Sequence, residues 1–119
     1  MLSPEEHALV CKSICAGISN CFFWDEGAAL RVRNDPDLKG LTPRFIREAV
    51  RDYVRETGDH VVVEVVETRE RWRDDFKFYY KVILPVDEFL YGIFVEMRLT
   101  DNDPDVPMVL IVNAHPQRK

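Results

Sequence analysis

Phe76-Lys77-Phe78-Tyr79-Tyr80-Lys81-Val82-Ile83-Leu84 is the stretch whose reading decides the fold. Its residues at 76, 78, 80, 82 and 84 are apolar or aromatic and alternate with Lys77, Tyr79, Lys81 and Ile83, the period of two that a half-buried strand requires. Pro85 stops the pattern. Downstream, Ile93, Val95, Met97 and Leu99 alternate with Phe94, Glu96 and Arg98, a strand over about 92–99. Asp101 to Asp105 reads as a turn. Met108 to Ala114 is apolar on both faces and reads as a central, doubly covered strand over about 108–114. Upstream, the β-branched run over about 60–68 is a fourth strand, joined to the opening stretch by the charged connection Arg69 to Asp75.

Before Gly58 the period is helical. Phe45, Ile46, Ala49, Val50, Tyr53 and Val54 repeat at helical spacing, Thr42-Pro43 opens the run and Gly58 closes it, so a helix spans about 43–57. Ser3-Pro4-Glu5-Glu6 is a second such opening, with Glu6 placed to cap Ser3 in return. Val10, Ile14 and Ile18 then form one stripe of a helix over about 4–18. Residues 20–41 admit two readings. Asp25 caps a short helix through Leu30 or Val32, or the segment is a strand in which Leu30 and Val32 alternate with Arg31 and Arg33. The cluster Phe22, Phe23, Trp24 needs burial in either case. Helices followed by strands with short turns give an α+β domain over residues 1–119: two N-terminal helices packed on one face of a four-stranded antiparallel sheet.

Composition limits the functional classes. With 119 residues and 46% hydrophobic content the chain fits one domain with its own core. The net charge of −5 is spread over both halves and opposes a general affinity for nucleic acid. No apolar run reaches the ~18 residues of a membrane span, so no membrane partner is expected. The first residues do not read as a signal peptide, and three cysteines, an odd number, read as reduced thiols of a cytoplasmic protein.

The chemistry-bearing residues gather on the strands. Lys77, Tyr79 and Lys81 share one face of their strand, Glu96 and Arg98 share the outward face of the next, and the last strand ends in Asn113-Ala114-His115. Were these strands neighbours, a carboxylate, several cations, a phenol and an imidazole would meet on one surface. That is the kit for cleaving RNA through its own 2′-hydroxyl without a metal or cofactor. Glu96 would take the 2′-hydroxyl proton, His115 would protonate the leaving oxygen, and Lys81 and Arg98 would hold the phosphate. The plainer alternative is cross-strand ion pairing as surface decoration. The enzyme reading requires Glu96 and His115 to face one open cleft; it fails if they lie on opposite faces, as a one-residue slip in the last strand would make them, or if Glu96 is sealed by a salt bridge under a helix.

The order of elements, with Glu96 and Arg98 two apart on a strand and His115 near the C-terminus, resembles small microbial ribonucleases of the barnase and toxin type. The resemblance covers roughly residues 43–118. It implies Glu96 and His115 as the proton-transfer pair, Arg98 with Lys77 or Lys81 at the phosphate, and a protein partner or inhibitor. Such ribonucleases tend to be basic, whereas this chain is acidic.

Arg69-Glu70-Arg71-Trp72-Arg73 suggests a second contact surface. Trp72 between Arg71 and Arg73 suits base stacking or a protein hot spot, with Lys77 and Tyr79 nearby. The alternative to an enzyme is therefore a non-catalytic module that binds a protein through the sheet edge or this loop. Arg44, Arg47, Arg51 and Arg55 form a stripe beside Glu48, Asp52 and Glu56, which reads as a salt-bridged, solvated helix face. His7, Cys11 and Cys15 share a helix face, but the outer two stand about 12 Å apart along the axis, too far for one zinc ion. Asp101, Asp103 and Asp105 begin like a calcium loop, yet Val106 and Val112 occupy the places that need Gly and Glu.

Overall fold

The computed structural model describes residues 2–17 and 21–118. Helix α1 spans Pro4–Cys15, α2 Glu26–Arg33, α3 Pro43–Thr57 and the single turn α4 Glu70–Arg73. The strands are β1 Phe22–Trp24, β2 Val63–Val66, β3 Phe78–Val86, β4 Phe89–Asp101 and β5 Met108–Pro116, with two short 3-10 turns between elements. None of the described helices is long and apolar enough to cross a membrane.

The architecture is α+β, but the sheet has five strands in the order β1-β5-β4-β3-β2, and it is mixed because β1 runs parallel to β5. The expected four-stranded antiparallel sheet lacks this fifth strand. Phe22 and Trp24 pair with Val109 and Ile111 at the far end of the chain, and no local pattern announces a partner so distant. Asp25 then caps α2 by accepting from the Ala28 N–H at 3.0 Å, so residues 20–41 hold both a strand and the short helix. The expected first helix ended at 18; α1 ends at Cys15, and Ile18, Ser19 and Asn20 lie outside the described residues.

Helix α3 matches the sequence pattern because three signals coincide there. Thr42 Oγ1 accepts from the Phe45 N–H, Pro43 sits in the first turn, and Gly58 ends the helix at φ 119°. At α1, Ser3 accepts from Glu6 as expected. The return bond comes from elsewhere: the Ser3 N–H donates to Glu64 of β2, a carboxylate that also accepts from the Tyr80 hydroxyl. α1 and α3 pack on the inner face of the sheet. Val10, Ile14, Ile46, Val50 and Val54 meet Phe22, Tyr80, Val82, Val95, Met97 and Ile111 there.

The arginine stripe of α3 is only partly a solvated face. Arg51 pairs with Glu48 at 3.0 Å, as its spacing predicts. It is also buried, and its Nε donates to the Ile14 carbonyl, while Arg55 donates twice to the Cys15 carbonyl. Two arginines of one helix thus satisfy the open carbonyls at the end of another.

The outer face of the sheet is the one that bears on function. Val65, Tyr79 and Lys81 of β2 and β3, Phe94, Glu96 and Arg98 of β4, and Asn113 and His115 of β5 occupy it, because Lys81 pairs with Glu96, Glu96 with Asn113, and Phe94 with His115. Four successive residues of β4, Val95 to Arg98, are nonetheless buried. Helices cover one side, and the segment 67–76 folds over the other. Phe76, assigned by alternation to the core face, belongs instead to the turn after α4: its N–H donates to the Trp72 carbonyl, and its ring stands 6.0 Å from Trp72.

Candidate active site on the outer sheet face

Two carboxylates and two guanidiniums form a closed ring at the centre of the outer face. Arg98 is fully buried, and its Nη2 donates to Glu67 and, at 3.1 Å, to Glu96. From the solvent side Arg69 bridges the same pair, donating to Glu67 at 3.0 Å and to Glu96 at 2.8 and 3.3 Å. Charges alternate around the ring and cancel, which is the condition under which ions tolerate burial. Burial pushes the Glu67 carboxyl up. Hydrogen bonds from the Arg69 side chain and backbone and from Arg98 outweigh this and hold it at about 2, against an ordinary 4.5. The Arg69 guanidinium is held charged by its hydrogen bonds to Glu67 and Glu96.

An aromatic roof completes the cluster. The Arg98 guanidinium lies 4.3 Å from the Trp72 ring centroid, 5.1 Å from Phe76 and 5.7 Å from Tyr79, and Arg69 lies 4.6 Å from Tyr79. The Nε and Nη1 of Arg98 have no acceptor among the described residues, so the rings are their main compensation. Arg71 also lies over Trp72, at 5.0 Å. With two guanidiniums on its indole, Trp72 is a roof, and a base could stack on it only by displacing Arg71.

Beside the ring opens a depression of about 370 Å³, lined by Arg31, Arg69, Arg71, Trp72, Glu96 and Asn113. His115 stands one pair further along β5 on the same face as Glu96, and a register shift puts it there: Glu96 pairs with Asn113 but Met97 with Ile111, so Val112 is an extra residue without which His115 would share the inner face of Ile111. Glu96 and His115 are diagonal neighbours, a relation that puts Cα atoms roughly 7–8 Å apart. The His115 ring stacks on Phe94 at 4.9 Å and 20°, and its Nδ1 lies 3.0 Å from the Pro116 carbonyl. Lys81 faces Glu96 across the strands but forms no ion pair among the described residues, because Arg69 and Arg98 already occupy the carboxylate.

Glu96, Arg98, Lys81, Tyr79 and His115 therefore share one face, and Arg71 and Trp72 border it. Lys77 does not join them: it lines a separate depression beside Glu5, Glu6 and Asp75. Arg73 is exposed and lines none of these depressions. The outward position expected for Glu96 and Arg98 holds, but solvent exposure does not, since they are 4% and 0% exposed. Sequence reasoning missed Glu67, Arg69, Arg31 and Asn113 as members of the site. Glu67 was within reach, because it stands two residues beyond Val65 and so continues the outer face of β2. Arg31 had no signal, since α2 is what brings it over β5, where its Nη2 donates to the Val112 carbonyl at 3.2 Å.

The cysteine cluster of α1 is ill suited to chemistry. Burial, with the charge of Asp59 next, pushes the Cys11 thiol up to about 12, and His7 spends Nε2 on the Val62 carbonyl at 2.6 Å. The alternate aspartates are a run of side-chain-capped turns, Asp101 accepting from the Asp103 N–H and Asp103 from the Asp105 N–H. No family model, curated protein or solved structure matches the chain, so the reading of this face rests on its geometry.

Proposed function

We propose that the protein is a metal-independent endoribonuclease acting at the Glu96–His115 face. The observation that carries this reading is that Glu96, His115, Lys81 and Arg98 share the outer sheet face, where Glu96 and Arg69 line an open depression to whose lining His115 and Lys81 do not contribute. In the reaction, Glu96 takes the proton of the ribose 2′-hydroxyl, whose oxygen attacks the adjacent phosphorus. His115 gives a proton to the departing 5′-oxygen, leaving a 2′,3′-cyclic phosphate and a free 5′-hydroxyl. Lys81 and Arg69 hold the charge that builds on the phosphoryl oxygens.

The closed ring holds Glu96 in salt bridges to Arg69 and Arg98, the arrangement named above as counting against this chemistry, so the reading stands only if the ring opens. Glu96 cannot accept a proton while Arg69 covers both its oxygens, so Arg69 must exchange the carboxylate for the phosphate. Its side chain is 46% exposed, whereas Arg98 is sealed, so Arg69 is the member able to move. Arg98 then remains to orient Glu96 from below.

The test is incubation of the purified protein with mixed-sequence RNA in EDTA, beside Glu96→Gln and His115→Ala. Cleavage by the parent, reduced by about 10²–10⁴-fold in each variant, is expected. Parent protein that leaves RNA intact, or His115→Ala cleaving at the parental rate, contradicts the reading. A non-catalytic protein-binding module is the second reading. It is favoured by exposed apolar residues at the β2 edge, Val63 and Val66, and at the β3–β4 hairpin, Leu90 and Tyr91.

A further inference from the structure

Adjoining the Glu96 depression is a more enclosed pocket of about 250 Å³ beneath Trp72, walled by Asp25, Arg31, Arg71, Phe76 and Arg98. Three guanidiniums converge there. Arg98 is balanced by its share of Glu67 and Glu96, but Arg31 and Arg71 form no ion pair among the described residues. Arg31 spends one donor on the Val112 carbonyl, and Arg71 rests on the Trp72 ring. Asp25, the pocket's one carboxylate, already caps α2 through the Ala28 N–H. Arg31 and Arg71 thus stand near each other with no glutamate or aspartate paired to either among the described residues. The neighbouring ring shows how this protein balances its arginines where their role is structural: it supplies a glutamate for each.

We propose that this pocket is a phosphate-binding site, with Arg31 and Arg71 as the direct ligands and the buried Arg98, its charge balanced by the ring, contributing N–H donors from the wall. The lining favours a tetrahedral anion over a metal or an apolar ligand, since arginine forks match phosphate oxygens in pairs and three guanidiniums face a single carboxylate, Asp25, which already caps α2. Arg98 strengthens the case, because its Nε and Nη1 are buried without any acceptor among the described residues. The pocket and the Glu96 depression share Arg31, Arg71 and Trp72. On the ribonuclease reading, on which this last step rests, the pocket holds the phosphate next to the scissile one, and the preferred substrate is an oligonucleotide longer than two residues.

The experiment titrates the full chain with inorganic phosphate at constant ionic strength, following arginine Nε–H and Trp72 indole N–H resonances. Arg31→Gln, Arg71→Gln and the double variant run alongside, with acetate as the control anion. Saturable shifts at Arg71 and Trp72, absent with acetate and weakened at least tenfold in the double variant, are expected. Both arginines are exposed, so melting curves of the variants should match the parent and exclude misfolding. No saturable shift, or equal affinity in the double variant, overturns the site. A second arm compares a dinucleotide with a trinucleotide carrying one more phosphate. A lower KM for the trinucleotide, lost in the double variant, assigns the phosphate to RNA. Phosphate binding without any RNA cleavage sustains the site and overturns the ribonuclease reading. RNA cleavage with no phosphate binding does the reverse.

Discussion

Arg98 has no exposed surface, so the two carboxylates that meet it decide whether the outer face is stable. Removing Glu67 leaves a buried cation with half its compensation, a change that typically costs about 3–5 kcal/mol. Glu67→Gln is therefore expected to lower the urea midpoint sharply. The same carboxylate predicts an acid limb. Its folded pKa of about 2 is depressed from 4.5, so its contribution is complete above about 4.5 and disappears as pH falls towards 2. Urea midpoints measured across that window should fall in the parent and fall less in Glu67→Gln; parallel curves would contradict this assignment. At this scale the sequence was informative about Glu96 and Arg98, whose alternation places them on one face, but it left the face of His115 open, since that depends on the extra residue Val112 in β5. It was silent about the ring, because Glu67 and Arg69 come from a stretch that reads as a charged connection, and their pairing depends on a fold-back no local period encodes.

The elements differ in how openly they announce themselves. α3 and β3 are written in strong, uninterrupted periods; α3 forms where its period lies, while β3 starts two residues late at Phe78 and runs through Pro85, read as its stop, to Val86. β1 is three residues long and gains its identity only from β5, about ninety positions away, so it stayed hidden among two readings of the segment. α4 is a single turn whose role is to carry Trp72 over Arg98. Between these extremes lies the β3–β4 hairpin, where the register shifts between Leu84 and Val86 and Gly92 sits inside β4 at φ 79°. A side chain there is disfavoured by backbone conformation, and a Cβ would approach the Leu84 carbonyl oxygen to 2.7 Å. Gly92→Ala is expected to destabilise by about 1–3 kcal/mol, read by thermal unfolding. An unchanged melting temperature would mean that the hairpin yields freely at this point.

Across the whole molecule, charge is distributed in a way that its total conceals. The chain is acidic, yet Arg31, Arg69, Arg71 and Arg98 gather at one place on the outer face. Net charge alone argued against RNA, because a sum carries no positions. The strand order brings the first and last strands side by side, so that α2 delivers Arg31 to the same depression as Glu96 and Asn113. That convergence is a property of topology, and only the order and type of a few of its residues were legible beforehand. The central claim is that this face cleaves RNA through the 2′-hydroxyl. The most direct test is to give the protein, in EDTA, an RNA strand and the same strand with a single 2′-deoxy substitution at the cut position, and to examine the product ends. The expected result is a 2′,3′-cyclic phosphate from the RNA and no cut at the substituted position. Equal cutting of both strands, or no cutting of either, would contradict the claim.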